Sequence, residues 1–367
     1  IDLNKELLKY IPNLKFENHS KEKINKEFFK DSKLNLYDNN YILNVNGYVM
    51  EIKFQNETDK SIVIEKKHKI SDKDLRDNLE NLNLALNTDY LKILVKKNYN
   101  FKKPLVIINS FDNNISSVNI NKKIDIELEE NSKLSILNVL DSRAKNIFFN
   151  YHQSYKLGKD AVLKNYFLDT NDNSNLNYVK NIIDIKKNAI SENVVISKNA
   201  NYTKNEIICN LLEPYSSAFV NGIMSLNKFQ KHEIRTKINH LEENTKSYQL
   251  IKCVLKDDSK AVYQGKIYVD SKAQKTDGYQ SSKAILLNKN TEFNGKPELE
   301  IYADDVKCSH GSSSGNLDEN KIFYLMTRGL SKPQAKKLLI DGYLMEVIEK
   351  ITDEKIKSIV KQNLGVQ

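Results

Sequence analysis

The chain has 367 residues, of which 40% are hydrophobic and 29% are charged. That apolar content is enough for a sizeable core and too high for a disordered chain, and the length suggests about two domains or one elongated domain. No segment approaches the ~20 consecutive apolar residues of a membrane span, and the N-terminus lacks the apolar core of a signal peptide. These features exclude an integral membrane protein, and we expect a soluble protein of the cytoplasm.

The net charge of +9 raises the question of a nucleic-acid partner. Arginine occurs only at Arg76, Arg143, Arg235 and Arg328, and the many lysines are interleaved with acidic residues. Proteins that read bases or bind phosphates usually rely on the planar, bidentate guanidinium of arginine. We therefore expect no nucleic-acid partner and attribute the lysine and asparagine content to an AT-rich genome.

The first region, residues 1–89, mixes helix and strand signals. Apolar residues at helical spacing predict short helices in 5–10 and 22–30. Residues 41–54 are typical of two strands joined at Asn46-Gly47, a strong signal for a two-residue hairpin turn. Leucines at helical spacing after Ser71 predict a further helix over 71–86.

The second region, residues 90–316, consists of short strand-like runs without an intervening helix. Such a series excludes a doubly wound α/β domain and leaves a sandwich, a propeller or a β-solenoid. No blade motif or strict repeat is visible, and polar residues at irregular intervals inside the runs favour the stacked turns of a solenoid. The runs are 90–95, 105–108, 124–128, 134–137, 182–185, 193–197, 206–210, 219–224, 249–255, 260–269, 284–287 and 299–302.

The third region, residues 317–367, returns to helical spacing. A first apolar stripe ends at Arg328-Gly329, the cation and glycine expected at a helix C-terminus. Ser331 and Gln334 then fit a capping box, with Pro333 allowed in the first turn of a second helix. The face of the second helix must pack on the β region or on a partner. The first stripe is formed by Leu317, Ile322, Phe323, Leu325 and Met326, and the face of the second helix by Ala335, Leu338, Leu339, Gly342, Met345 and Ile348.

The common catalytic motifs are absent from the sequence. No P-loop, dinucleotide-binding, G-x-S-x-G or H-E-x-x-H pattern occurs, and no C-x-x-C pair suggests a zinc ribbon or a thioredoxin-type site. Cys209 and Cys253 lie in apolar runs and are expected to fill the core. His232 and His240 lie in a charged stretch, either on the surface or in a polar cluster.

Cys308 and His310 form the one pair that could carry chemistry. In an extended segment they share one face, with α-carbons about 7 Å apart, and could converge on a soft or borderline metal. The alternative is a buried cysteine beside a histidine that caps a Ser/Gly-rich turn, and the residues alone favour this second interpretation.

An enzyme acting on polysaccharides is a further alternative, with Asp304 and Asp305 as its carboxylate pair. Adjacent residues of a strand point to opposite faces, so these two carboxylates cannot easily flank one glycosidic bond. The pattern therefore argues against an enzyme.

Six segments together carry a long and specific pattern: 261–269, 273–280, 284–287, 296–311, 322–325 and 328–329. Through them the C-terminal third resembles the SufB/SufD family, the scaffold proteins of the SUF iron–sulfur cluster assembly system. The likeness extends more thinly to about residue 200 through Asn221-Gly222, His240 and Ser247-Tyr-Gln249, and the ungapped Cys-Ser-His-Gly at 308–311 is most similar to the SufD branch. The sequence departs from the family at Ser312–Ser314, where Ala-Thr-Val is usual, and at Met326, where Arg is common.

The resemblance implies a right-handed parallel β-helix core over 90–316, flanked by an N-terminal mixed or helical region, 1–89, and a C-terminal helical region, 317–367. It implies a non-catalytic scaffold subunit that pairs with a SufB-type scaffold and contacts a SufC-type ATPase through the C-terminal helices.

The resemblance also implies a role for His310, and with it Cys308, as transient ligands of iron or a cluster at the partner interface. No tightly bound cofactor is expected, and ATP would be used by the partner ATPase. The alternative is a SufB-like or homodimeric scaffold without a distinct partner. The expected location is the bacterial cytoplasm, in preference to a plastid-type organelle.

Overall fold

The structure, a computed structural model, describes residues 40–54, 61–67, 77–87, 89–170 and 173–366. Strands make up 57% of the structure, and parallel sheets form a β-solenoid of about 8 turns. The expected mainly β architecture is therefore confirmed. The helices predicted at 5–10 and 22–30, and Ser71, lie outside the described residues.

From β4 onwards, successive strands alternate between two sheets. Strands β1 and β2 and the odd-numbered strands from β5 form one sheet (the odd sheet), and β3 and the even-numbered strands from β4 form the other (the even sheet). Neighbours are parallel except in the pairs β1–β2 and β3–β4. The described strands are β1 (Tyr41–Val45), β2 (Tyr48–Lys53), β3 (Ile62–Lys67), β4 (Tyr90–Val95), β5 (Leu105–Phe111), β6 (Asn119–Leu128), β7 (Lys133–Ser142), β8 (Phe148–Leu157), β9 (Val162–Asp169), β10 (Asn173–Ile185), β11 (Ile190–Ser197), β12 (Ala200–Leu211), β13 (Ser217–Leu226), β14 (Lys231–His240), β15 (Lys246–Leu255), β16 (Lys260–Val269), β17 (Thr276–Leu286), β18 (Glu292–Ile301) and β19 (Val306–Gly315).

Each turn of the solenoid contributes one strand to each sheet, and the turns differ in length. The register partners Asn165 and Asn193 are 28 residues apart, whereas Lys260 and Glu292 are 32 residues apart. This variation explains why the sequence shows no strict repeat.

Asparagine and aspartate shape one corner of the solenoid. Asn98, Asn131, Asp160 and Asn188 have φ values of 62°, 55°, 58° and 55°, a left-handed conformation that these side chains tolerate better than most. The Asn131 backbone N–H donates to the carbonyl of Lys159 in the next turn at 2.8 Å, and its side chain donates to Asn98 Oδ1 at 2.9 Å. The asparagine content therefore has a structural use in addition to its expected origin in genome composition.

The main core lies between the two sheets and contains polar as well as apolar side chains. Cys209 and Cys253 are fully buried in it, as predicted. Asn138 donates to Asn165 Oδ1 at 2.9 Å and accepts from the Tyr151 hydroxyl at 3.0 Å, so inward-facing amides and phenols bond to each other across turns.

Four described helices lie outside the solenoid: α1 (Asn78–Leu86), α2 (Glu319–Thr327), α3 (Lys332–Ile348) and α4 (Glu354–Leu364). The capping box of α1 is formed by Asp77, whose extended backbone starts the helix later than the sequence predicts. The outer face of the odd sheet packs against α3 and α4. Leu338, on the apolar face of α3 that is expected to pack on the β region or on a partner, is 52% exposed. No helix in the described ranges is long and apolar enough to cross a membrane.

Candidate functional site at the open end of the solenoid

The solenoid ends at β18 and β19, the last strands of the even and odd sheets. Within the described residues each of these strands pairs on one side only, β18 with β16 and β19 with β17. Their other edges are free, so the space between the sheets opens to solvent here.

Cys308 and His310 lie on the inward face of β19, as strand alternation predicts. Cys308 is in register with Gly278 and His310 with Gln280, and both of these β17 residues are buried inside the solenoid. Cys308 is half-buried, whereas His310 is exposed because no further turn covers it. The structure thus brings the two predicted ligands together at the mouth of the interior.

The surroundings of Cys308 keep its thiol protonated. Its Sγ lies 3.4 Å from the position that a Cβ would occupy on Gly278, and the side chain packs against a small apolar cluster with Ile267 and Val269. Burial raises the pKa of the Cys308 thiol, and the Gly278 backbone N–H opposes this effect only in part. A protonated thiol is a poor nucleophile, but a metal ion that displaces the proton converts it into a ligand.

A buried histidine, His240, lies two turns below Cys308. Ser247 is in register with Gly278, and its hydroxyl lies 2.9 Å from Nε2 of His240. His240 Nδ1 lies 2.8 Å from the Thr245 hydroxyl, and burial lowers the pKa of this imidazole to about 3. His240 is therefore a neutral member of an interior polar cluster. Of the two alternatives left open by the sequence, a surface position and a polar cluster, the structure shows the second.

His232 is also buried and neutral. Its Nε2 lies 2.7 Å from the Ala200 carbonyl and its Nδ1 lies 2.8 Å from the Ser197 hydroxyl. Nε2 therefore donates its proton to the carbonyl, and burial lowers the pKa of the ring to about 4.

The floor beneath His310 is polar. Gln280 donates to the Glu298 carbonyl at 3.2 Å, and the Tyr263 hydroxyl donates to Gln249 Oε1 at 3.2 Å. A Cβ at position 265 would overlap both Gln280 Oε1 and the Tyr263 hydroxyl, so Gly265 makes room for these groups.

Sequence reasoning missed these floor residues, although a signal for them exists. Ser247-Tyr-Gln249, Gly278-Tyr-Gln280 and Cys308-Ser-His310 occupy the same three positions in three consecutive turns. Aligning these tripeptides would place Gln249 and Gln280 directly below His310.

Asp304 and Asp305 are exposed in the turn before β19 rather than in the strand. The Asp305 backbone N–H donates to Gln274 Oε1 at 2.9 Å, and its carbonyl accepts from the Lys275 N–H at 2.6 Å. In the part of the chain that the structure describes, no three His, Cys, Asp or Glu side chains are grouped to hold a metal ion.

A second exposed feature lies on the helices that follow β19. Ile322 is the buried residue of α2, whereas other apolar side chains of α2 and α3 face solvent. We call these exposed residues the hairpin patch: Phe323 (68% exposed), Tyr324 (57%), Met326 (41%) and Leu338 (52%). The capping box of α3 forms as predicted, between Ser331 and Gln334.

Residues 110–343 match a family model described as SUF system FeS cluster assembly, SufBD core domain. This match covers more than half of the chain and includes Cys308 and His310. The chain belongs to the SufBD family. The resemblance seen in the sequence is therefore confirmed, and the SufD branch is the most similar.

The relatives of this SufBD family member come from bacteria and from eukaryotes. It is 29% identical over 245 residues to the iron–sulfur cluster assembly protein SufD of Escherichia coli K12, covering 59% of this chain and 58% of that protein. It is 26% identical over 247 residues to the chloroplastic protein ABCI7 of Arabidopsis thaliana, covering 66% and 52%. The chain therefore spans about half the length of these two curated relatives. The description of the family model assigns its members to iron–sulfur cluster assembly by the SUF system.

Proposed function

We propose that this chain is a scaffold subunit that joins a SufB-type partner at the open end of its solenoid and presents His310 to iron or a nascent cluster there. The observation that carries the proposal is the inward-facing pair Cys308 and His310 at a mouth bordered by two free strand edges. The hairpin patch is the proposed contact for a SufC-type ATPase.

The free edges support pairing with another solenoid. An exposed edge strand presents unpaired N–H and C=O groups, and a second chain can extend the sheet by adding its own strand. Two such edges, β18 and β19, lie side by side at this end. A partner solenoid that extended both sheets would enclose the space into which Cys308 and His310 point.

The ligand chemistry also supports a shared site. Iron accepts imidazole and thiolate ligands, and clusters are usually held by four protein ligands. This chain offers two candidates, the exposed imidazole of His310 and the half-buried thiol of Cys308. In the proposal, the partner scaffold supplies the remaining ligands when the interface closes.

The proposal is tested with His310→Ala in a complex co-expressed with the SufB-type and SufC-type partners. We expect a complex of unchanged mass whose iron and sulfide content falls at least tenfold. The control is Ser309→Ala, which changes the neighbouring outward-facing residue of the same strand and should leave the content unchanged. Normal cluster content in an intact His310→Ala complex would overturn the ligand role.

The mass of the chain, measured alone and after mixing with the SufB-type partner, tests the pairing itself. A chain that forms a heteromer with the SufB-type partner supports the proposal. A stable homodimer that assembles clusters without that partner favours the SufB-like alternative.

A further inference from the structure

The mouth of the solenoid contains a third polar side chain besides Cys308 and His310. Ser312 follows His310 by two residues on β19 and is in register with Ser282 of β17, which is 1% exposed inside the solenoid. Alternate residues of a strand share one face, so Ser312 points inward like His310, with the two α-carbons about 7 Å apart. Ser312 is exposed because no further turn covers it. Its hydroxyl therefore faces the same open space as the imidazole of His310.

The side chain of Ser312 reaches across the mouth towards the even sheet. A Cβ at position 295 of β18 would overlap Ser312 Oγ, so Gly295 leaves the room that this hydroxyl occupies. Along β19, His310 lies between Cys308 on one side and Ser312 on the other. The inward face of the last strand thus presents a thiol, an imidazole and a hydroxyl in that order.

A hydrogen bond from below holds the oxygen of Ser312 in place. Ser282 Oγ donates to Ser312 Oγ at 2.9 Å, and in the described ranges this is the one hydrogen bond of the Ser312 side chain. A hydroxyl group both donates and accepts, so Ser312 keeps its own O–H for a second partner. Accepting one hydrogen bond also polarises the hydroxyl and makes it a better donor.

Iron–sulfur clusters offer acceptors that suit such a donor. Hydrogen bonds to the sulfurs are among the factors that set the reduction potential of a cluster. Reduction makes the cluster more negative, and a hydrogen bond strengthens with the negative charge of its acceptor. A donor beside a sulfide therefore stabilises the reduced cluster more than the oxidised one and raises its reduction potential.

We propose that Ser312 donates a hydrogen bond to a sulfide of the cluster that forms at the mouth, and that it thereby raises the reduction potential of that cluster. The inference rests on the proposed function, because it requires a cluster at the mouth. It assigns Ser312 to the sulfide and leaves the iron to His310, Cys308 and the ligands of the partner.

The test is a redox titration, followed by visible absorption, of the complex co-expressed with the SufB-type and SufC-type partners. We expect Ser312→Ala to keep the iron and sulfide content of the wild type and to shift the reduction potential to a lower value. Ser312→Thr keeps the hydroxyl and should restore the wild-type potential. Two controls should leave the potential unchanged: Ser313→Ala on the outward face, and Ser314→Ala on the inward face but two residues further from His310.

An unchanged potential in Ser312→Ala, or an equal shift in Ser314→Ala, overturns the inference. His310→Ala separates this result from the fate of the proposed function. Loss of cluster content in His310→Ala, together with an unchanged potential in Ser312→Ala, removes the role of Ser312 alone. Normal content in His310→Ala, together with a lowered potential in Ser312→Ala, removes the ligand role of His310 and supports the hydrogen bond from Ser312.

Discussion

Lys122 is a buried lysine, and its burial disfavours the charged form of the amine. Its side chain is fully buried, and Nζ donates to the carbonyls of Asp89 at 2.8 Å and Gly47 at 3.3 Å. Burial lowers the pKa of this amine to about 7, although the charge of Asp89 opposes the shift. In the folded chain Lys122 therefore gives up its proton far more readily than it would in the unfolded chain.

We expect the stability of the protein to rise with pH above pH 7 because of Lys122. Between about pH 7 and the ordinary lysine pKa, the unfolded state binds more protons than the folded state, and the free energy of unfolding gains up to ~1.4 kcal/mol per pH unit from this group. Lys122→Met lacks this contribution. Urea unfolding at pH 7, 8 and 9 should show the wild type gaining on the variant as pH rises.

Lys289→Met is the control for that measurement, because Lys289 is exposed. Its stability should follow that of the wild type at each pH. A difference between wild type and Lys122→Met that stays constant from pH 7 to pH 9 would contradict the assignment.

At the scale of elements, Lys252 joins helix α3 to strand β15. The side chain is 3% exposed, its Nζ donates to the Tyr343 carbonyl at 2.6 Å and lies 4.2 Å from the centre of the Tyr343 ring, and it pairs with Glu346. The pairing lowers the pKa of Glu346. A single lysine thus connects the helix to the outer face of the odd sheet by three kinds of contact.

Lys252→Met should loosen α3 without disturbing the solenoid. Loss of the charge-assisted hydrogen bond predicts a decrease of about 1–3 kcal/mol in the free energy of unfolding. Amide hydrogen exchange should become faster in α3 and stay slow in the inner strands. For comparison, Lys260→Met breaks the exposed pair with Glu292 and should cost only about 0–1 kcal/mol. Equal losses in the two variants would show that the buried contacts of Lys252 add nothing.

Strands whose inward side chains are apolar are the ones that the sequence predicts best. The run 260–269 coincides with β16, and the Asn46-Gly47 turn joins β1 to β2 with both residues at positive φ. Strands β8 and β14 are not predicted, because Gln153, His232 and Thr236 are polar yet buried and so hide the alternation.

The same limit applies to the candidate site. Alternation along one strand predicts that Cys308 and His310 share a face. The floor residues Gln280 and Tyr263 come from other strands, and their position depends on how the turns are stacked. Because the turns vary in length, the sequence of one strand does not show which residues of the adjacent turn lie beside it.

At the scale of the whole molecule, the two surfaces proposed for partners lie towards the C-terminal end of the chain. The solenoid mouth and the hairpin patch follow each other in sequence, whereas the outer face of the odd sheet packs against α3 and α4. In the proposed complex, the scaffold partner and the ATPase would therefore approach neighbouring parts of the molecule. Movement of the ATPase could then be transmitted from α2 through the short link 316–318 to β19, the strand that carries His310.

The hairpin patch predicts a specific loss of ATPase binding in the double variant Phe323→Ser, Leu338→Ser. Burial of each large apolar side chain is worth about 1.5–3 kcal/mol, so its removal should weaken binding of the SufC-type ATPase at least tenfold. Both side chains are more than half exposed, and the free energy of unfolding should change by no more than ~0.5 kcal/mol.

Phe229→Ser is the control, because it removes a phenylalanine that is 75% exposed on the turn after β13, outside the patch. Titration of the ATPase against the three proteins should give a lower affinity for the double variant than for the wild type and Phe229→Ser. Full affinity in the double variant would place the ATPase contact elsewhere on the chain.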